Sequence, residues 1–360
     1  MKFPFGFLFR PKPKAFLGVD IGTASIKVVE LEEDGLKIRL GNYGYLVSKG
    51  YLEKTSGVLQ TNSLKLQEGE TSRFLKVLIS AMKPKTRMAV ASIPSFSAFI
   101  TLLELPDMSP ADTAKAMAIQ PYQYIPLPVS EVAIDWWKVG ERKLDSGSRN
   151  QQILLISVPN EQIRKYRNIF KEAGLKLWAL ELESFSLARI LVGNDPTSTI
   201  LVDIGAYSTN IAVVEKGLLK YNSHADYAGS SLTQAIAGSL NINLRRAEDI
   251  KKQRGLAEIG GEYELRTLIQ PFLDAIISDI KKAREIYEKK YGSRAERIVL
   301  SGGGADLTGI ESYFSAAMNL PAVKGLPFNK IQYNPELEPA IKSLGSSFAV
   351  ALGAGIRELV

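Results

Sequence analysis

Two aspartates carry the chemistry on offer here. Asp20 ends an apolar run in "FLGVDIGTASIKVVEL", and Asp203 ends another in "ILVDIGAYSTNIAVVEKG". Each is followed by Ile-Gly, a turn of small residues, and a second apolar run closing on Val-Val-Glu. A tight turn of glycine and small residues leaves backbone N–H groups free to converge on one point, which suits phosphate oxygens. A carboxylate at the strand end is well placed to hold water on Mg²⁺, a cation that prefers oxygen ligands and keeps most of its waters. One such hairpin is commonplace. Two, each opening one half of the chain, predict duplicated lobes whose turns face each other across a cleft and hold a polyphosphate from both sides. A third element, "SGGGADLTGI", sets Gly302, Gly303 and Gly304 just after an apolar strand. Bare backbone there lets a flat ring or its sugar approach closely.

The elements that must position these residues follow from pattern. The 360 residues suffice for roughly two domains, and 45% are apolar, enough for a sizeable core. Three β-runs, "AFLGVD", "SIKVVELEE" and "LKIRLGNYGYL", turn at Gly22 and at Asp34-Gly35. A helix is predicted from Thr71 to Lys83, stopped by Pro84, before a short buried strand in "RMAVASIP". From Pro94 to Gly174 the order becomes strand, helix, strand, strand, helix. Ser109 is the N-cap of "SPADTAKAMAIQ"; Asn160 caps "NEQIRKYRNIFKEAG", which ends at Gly174. This block reads as a subdomain inserted between the halves. The second half restarts near Ser198 with "TILVDIG" and "TNIAVVEKG", then turns helical over roughly 230–292. There Leu273, Ile276, Ile277, Ile280, Ala283 and Tyr287 form a helical stripe that belongs in a core. A strand into the glycine-rich turn and a last helix in "GSSFAVALGAGIREL" complete an α/β chain.

Composition excludes several function classes. There is no cysteine, so disulfides, thiol nucleophiles and thiolate metal sites are absent. The one histidine, His224 in "YNSHADY", argues against an imidazole metal site or a Ser-His hydrolase and reads as a plain loop or strand-end residue. No apolar run approaches the ~18–20 residues that span a bilayer. The opening "MKFPFGFLFRPKPKAF" is broken by Pro4 and Gly6 and does not read as a signal peptide. It reads as a disordered tail, or as a contact through Phe3, Phe5, Phe7, Leu8 and Phe9 with Lys2, Arg10, Lys12 and Lys14 to an anionic membrane surface or a membrane-bound partner. The net charge is +7. The basic runs are interleaved with acids and read as solvated helix faces, and with no nucleic-acid motif, nucleic acid is not an expected partner.

Together the two hairpins and the glycine turn resemble the actin-like ATPase superfamily of actin, the sugar kinases, the heat-shock chaperone ATPases and the cell-division protein FtsA. The resemblance implies an actin-like ATPase fold: two duplicated ribonuclease-H-like lobes with ATP or ADP and Mg²⁺ between them. It implies Asp20 near Mg²⁺, Gly22, Thr23, Ala24 and Ser25 around the phosphates, and Lys27 reaching the β- and γ-phosphates. Asp203, Gly205 and Ala206 match the second phosphate motif, with Asp203 also toward Mg²⁺, and Gly302, Gly303 and Gly304 match the adenosine motif. "LESFSLAR" resembles the first connecting helix, which implies that Glu183, with Asp203, orients the attacking water. "RAEDIKKQRG" resembles an A-E-x-x-K segment of FtsA-like members, which implies Glu248 and Lys251 at the ribose and adenine. Tyr207 is bulky for a phosphate turn, so slow turnover or none is expected.

A narrower resemblance, to the PilM family of type IV pilus assembly proteins, covers nearly the whole chain. The basic aromatic opening, "LGVDIGTASIKVVEL", "LELPDMSPADTAKAMAIQPYQYIPLPVSEVAIDW" and "LELESFSLAR" carry it. It implies a leader over 1–14, lobe 1 over 15–93, 176–197 and 346–360, and an FtsA-type 1C insertion over 94–175. Lobe 2 then spans 198–229 and 293–345, with a 2B subdomain over 230–292. It further implies a cytoplasmic protein at the inner face of the bacterial inner membrane, held there through partners. The implied partner is the N-terminal cytoplasmic peptide of the membrane protein PilN, bound beside the 1C subdomain; pilus motor ATPases and further copies of the chain are additional candidates. Two other readings stand beside it. An FtsA-like cell-division scaffold would carry a linker and an amphipathic membrane helix after its core. A small-molecule kinase would need a catalytic aspartate in an acceptor pocket, and no residue here is singled out for that role.

Overall fold

The computed structural model describes residues 13–47, 68–143, 147–256 and 263–360. The aromatic side chains of the leader lie outside the described residues. In the first half, β1 (Ala15–Ile21), β2 (Ser25–Asp34) and β3 (Lys37–Val47) lead to α1 (Glu68–Met82) and β4 (Met88–Ile93). Next come β5 (Phe99–Pro106), α2 (Pro110–Met117), β6 (Val132–Lys143) and β7 (Arg149–Pro159). The half closes with α3 (Asn160–Glu172), β8 (Lys176–Leu182) and α4 (Glu183–Leu187), which continues as a wider helical turn over Ala188–Val192. The second half holds β9 (Thr199–Ile204), β10 (Thr209–Glu215), β11 (Leu218–Ala225), α5 (Gly229–Leu240), α6 (Leu244–Arg254) and α7 (Tyr263–Tyr291). It ends with β12 (Arg297–Ser301), α8 (Ile310–Met318), β13 (Ala322–Lys324), α9 (Glu338–Leu344) and α10 (Ala349–Ile356).

The repeat seen in the sequence is a repeat of topology. One five-stranded sheet runs β3-β2-β1-β4-β8 and the other β11-β10-β9-β12-β13. In each, the first three strands are antiparallel neighbours, and the fourth and fifth run parallel to the first. The central strand of each is apolar almost throughout because both of its faces are covered. α10 packs on β1 and on α4 at backbone distance: a Cβ on Gly18 would sit 1.9 Å from Ala351 O, and one on Gly353 2.0 Å from Ser186 O of α4. The small residues of "AVALGAGI" make that approach possible.

The two halves differ in their additions. In the first, β5, β7 and β6 form a separate three-stranded antiparallel sheet, with Met117 of α2 packed on Leu103, Leu105, Ile153 and Leu155. α2 starts as expected, the Ser109 Oγ accepting the Asp112 N–H. It stops at Met117, short of the expected end, because Pro121 has no N–H to give and restricts Gln120. α3 falls within the stretch read as the insertion, yet it packs on α1 and β8, its Tyr166, Ile169 and Phe170 buried with Leu75 and Ile79. In the second half α7 lies under β10 and β11, and all six residues of its predicted stripe are buried.

One expectation needs correction. Asn160 does not cap α3: it is the first helical residue, and its side-chain amide donates to Ser130 O. The second half also has a strand before its helices, β11, which period-2 patterning marks only weakly in "LLKYNSHA". His224 lies in it, its ring edge-on to Phe96. By length and composition alone, Pro335–Ile356 could cross a bilayer, but most of it is buried in the core.

Candidate functional site

The two hairpins are built alike. The Gly22 N–H donates to Ser25 O at 3.0 Å, and the Gly205 N–H donates to Ser208 O at 3.0 Å. Each turn glycine thus spends its own N–H on closing the turn. In the first hairpin this leaves the Thr23 and Ala24 N–H groups without a partner among the described residues. Asp20 stands opposite Lys27 in the ladder, and Asp203 opposite Asn210. Opposed residues project to the same face of a sheet, so each aspartate has one side-chain companion.

Around Asp20 the companions are charged. Lys27 Nζ lies 3.1 Å from Asp20 Oδ2, the two side chains 13% and 7% exposed. Ser92 Oγ donates to Asp20 Oδ1 at 3.5 Å. Burial works against the Lys27 charge, but the Asp20 carboxylate outweighs it and holds the ammonium above its ordinary pKa. A Cβ on Gly22 would lie 3.3 Å from Lys27 Nζ and 4.0 Å from Asp20 Oδ2, so the bare glycine keeps open the space where they converge.

Asp203 and Glu183 come to the same place from opposite lobes. Burial raises Asp203 to about 6; the Ser301 hydroxyl opposes this, the Asp20 charge adds to it, and Lys27 opposes it. Burial also pushes Glu183 well above the carboxylate range, reinforced by the charges of Asp20 and Asp203 and opposed by Lys27 and the Ser95 N–H. Three acids and one lysine therefore feel one another across the lobe boundary.

The triple glycine adjoins this group. Gly302, at φ +78°, would place a Cβ 2.5 Å from Ile204 O and 3.0 Å from Asp203 Oδ1; one on Gly304 would meet Ile204 Cγ2 at 2.3 Å. Gly303 is open, its nearest neighbour being Ser347 Oγ at 3.7 Å. The other wall is α5. The Gly229 and Ser230 N–H groups donate to Gly205 O and Ala206 O at 3.0 and 2.8 Å. Lys251 Nζ reaches Gly229 O at 2.8 Å, Thr233 Oγ1 at 2.8 Å and Glu248 at 2.7 Å. Burial disfavours the Glu248 charge, but Lys251 outweighs it and keeps the carboxyl below its ordinary range; burial lowers Lys251. All the residues singled out in the sequence thus lie on the two hairpins, on α4, or on the α5–α6 and glycine-turn walls beside them.

The sequence reading missed a polar bridge under the cleft. Ser184, next to Glu183, is a node: Ser95 Oγ lies 2.9 Å from its hydroxyl, Asn210 Nδ2 donates to it at 3.0 Å, and it donates to Asn222 Oδ1. Asn210 and Asn222 belong to the second half, Ser95 and Ser184 to the first. Asn210 was findable: it follows Asp203 at the same interval as Lys27 follows Asp20. Ser95 and Ser184 carry no such signal.

The residues fit a magnesium nucleotide in a particular way. Among the described residues no three acidic or imidazole groups sit close enough to hold a metal directly. Clustered carboxylates with raised pKa values, beside Lys27 and free turn N–H groups, suit a cation that arrives with phosphate and keeps its waters.

The sequence profile of the family "Type IV pilus assembly protein PilM" matches residues 18–359. The chain is 26% identical to cell division protein FtsA of Neisseria meningitidis serogroup B over 60% of its own length and 58% of that protein. It is 24% identical to FtsA of Buchnera aphidicola over 88% of its own length and 85% of that protein. Among solved structures, a PilM-PilN type IV pilus biogenesis complex aligns with TM-score 0.81 and 21% identity, over 97% of this chain and 100% of that one. MreB5 of Spiroplasma citri bound to AMPPNP aligns with TM-score 0.55 and 15% identity, over 96% of each chain. The architecture is the actin-like ATPase fold, and the chain belongs to the family of type IV pilus assembly protein PilM.

Proposed function

We propose that the chain is a nucleotide-binding scaffold of the type IV pilus assembly platform, or of a related secretion system, at the cytoplasmic face of the inner membrane. The observation that carries this reading is the meeting of Asp20, Lys27 and Glu183 with Asp203 at the lobe boundary, beside the triple glycine. When bound, ATP with Mg²⁺ supplies the charge that bridges the lobes. The Thr23 and Ala24 N–H groups and Lys27 receive the phosphates, Asp20 and Asp203 orient the water shell of the cation, and Glu248 and Lys251 border the nucleoside. MreB5, a relative in fold, is seen with AMPPNP.

Cleft geometry reaches the inserted sheet. The insertion is rooted in lobe 1 after β4, but it also touches lobe 2. Buried Lys220 of β11 donates to Val139 O of β6 and lies 3.4 Å from Glu215. A shift of one lobe must therefore move or break the seat of the insertion. The partner we assign to the insertion is the N-terminal cytoplasmic peptide of PilN, by analogy with the PilM-PilN complex. A nucleotide that binds one lobe angle better than another then sets the affinity for that peptide.

Two measurements test this. Peptide binding to the full chain should be measured by calorimetry with and without Mg-ATP; no binding in either state sinks the partner assignment. Lys220→Met should leave nucleotide affinity unchanged and remove the effect of nucleotide on peptide affinity. A variant that keeps the coupling refutes the route through β11.

A further inference from the structure

We infer that the Tyr166 hydroxyl positions the Glu183 carboxylate when nucleotide occupies the cleft. This deepens the nucleotide reading and rests on it. Tyr166 stands in α3 and packs with Leu75, Ile79 and Phe170 in the first core. It is 1% exposed, and its hydroxyl has no hydrogen-bond partner. A buried hydroxyl without a partner costs stability. Phenylalanine would fill the same space without that cost, so packing alone does not account for the oxygen.

The hydroxyl looks onto the acids of the cleft, because α3 packs on β8 and Glu183 directly follows that strand. Burial, then the charges of Glu183 and Asp20, hold the phenol well above its ordinary pKa, so it keeps its proton and meets a carboxylate as a donor. Of the two acids, Asp20 is already supplied. Lys27 lies 3.1 Å from its Oδ2, and Ser92 donates to its Oδ1 at 3.5 Å. Glu183 receives only the Ser95 N–H among the described residues. A carboxylate has two oxygens and several lone pairs, so Glu183 has acceptors to spare. A turn of its carboxyl brings an oxygen to the phenol, and the bond is direct, with no water between.

The same helix has a foot in the inserted sheet. α3 follows β7 without a break, and the Asn160 amide donates to Ser130 O at 3.0 Å. Tyr166 lies about 9 Å further along the helix, at about 1.5 Å per residue. One helix thus joins the seat of the insertion to a hydroxyl that faces Glu183. A partner that shifts the start of α3 moves the hydroxyl, and with it the carboxylate that orients the water. Tyr166 gives up no proton and touches no substrate; it acts through Glu183.

The test uses the full chain as wild type, Tyr166→Phe, Glu183→Ala and the double variant. It reads the melting temperature without nucleotide, ADP affinity with a fluorescent analogue, and phosphate release in single turnover. It also reads the ζ-¹³C resonance of labelled tyrosine, assigned to Tyr166 by its loss in Tyr166→Phe. We expect Tyr166→Phe to melt no lower than wild type, because the hydroxyl makes no bond in the empty chain. It should bind Mg-ADP within about twofold of wild type and release phosphate at least about tenfold more slowly, since misplacing a catalytic group costs rate and not binding. The double variant should be no slower than Glu183→Ala alone. In wild type the Tyr166 resonance should move when Mg-ADP–beryllium fluoride binds, and in Glu183→Ala it should stay. Glu183→Asp, which draws the carboxylate back by one methylene, replaces Glu183→Ala should that variant not fold. Phosphate release by Tyr166→Phe at the wild-type rate overturns the inference, as does a Tyr166 resonance that nucleotide leaves in place. A clearly lower melting temperature in Tyr166→Phe overturns it too, because the hydroxyl would then be bonded in the empty chain. A wild type that binds Mg-ATP without releasing phosphate overturns the inference and leaves the nucleotide reading intact. A wild type that binds no nucleotide removes both.

Discussion

Lys27 and Asn210 occupy the same register of two hairpins that otherwise match, in the aspartate, the turn glycine and the closing serine carbonyl. The first hairpin pairs its aspartate with a lysine, and the resulting ion pair holds the lysine charged. The second pairs its aspartate with an amide, and burial leaves Asp203 short of compensating charge, with its pKa at about 6. The same backbone thus makes a settled half-site in one lobe and an electrostatically unsettled one in the other. Carboxylates with poorly compensated charge cluster at functional sites and cost the folded protein stability.

The largest expected effect tests that imbalance. A carboxyl whose folded pKa is raised lets the native state bind more protons than the unfolded one between the two values. Stability from Asp203 is therefore present below about pH 4 and is lost as pH rises to about 6. The loss is at most about 3 kcal/mol, since each pKa unit is about 1.36 kcal/mol. Asp203→Asn should remove the Asp203 share of this slope in denaturant titrations of the nucleotide-free chain, leaving the share of Glu183, and be more stable than wild type at pH 7.5. An unchanged pH slope in the variant contradicts the unsettled half-site.

Next in size is the linkage to nucleotide. At one hundred times Kd, Mg-ATP should stabilise the chain by about 2.7 kcal/mol, seen as a rise in Tm of a few degrees. Asp20→Ala should remove most of that rise; a full rise in the variant argues against Asp20 near Mg²⁺. Making the hairpins alike with Lys27→Asn should cost about 1.5–3 kcal/mol of ATP binding, the range for a hydrogen bond to a charged group. The loss should be larger for ATP than for ADP. Equal losses would show that Lys27 does not reach the γ-phosphate.

The smallest expected effect concerns a wall both hairpins share. Gly302→Ala meets Ile204 O at 2.5 Å in a left-handed conformation, so a loss of about 1–2 kcal/mol in stability is expected. It should weaken nucleotide binding as well, because it presses on Asp203. Gly303→Ala, whose nearest neighbour is at 3.7 Å, should leave stability unchanged, and equal losses in the two would refute the packing role.

Much of this was legible in the chain. The apolar strands, the two Asp-Ile-Gly turns, the α7 stripe and the Ser109 cap are local patterns, and local patterns dictate local structure. Asn160 misled because an asparagine before a helix competes as a cap only if its backbone lies outside the helix, and here Pro159 takes that place. The helix α3 sits inside a block that reads as an insertion, and only its burial against α1 and β8 ties it to the first lobe.

By itself the sequence determined that the chain carries two matching Asp-Ile-Gly hairpins and which residues stand in each turn, since repetition and turn chemistry are written in order along the chain. Tertiary structure alone decided that Glu183 and Asp203 share one electrostatic environment, that Ser184 meets Asn210 and Asn222 from the other half, and that Asn210 Oδ1 finds no partner among the described residues. Those are properties of burial and of distances between distant segments. A carboxylate's pKa and an amide's missing partner depend on what surrounds them in space, and no spacing along the chain encodes that.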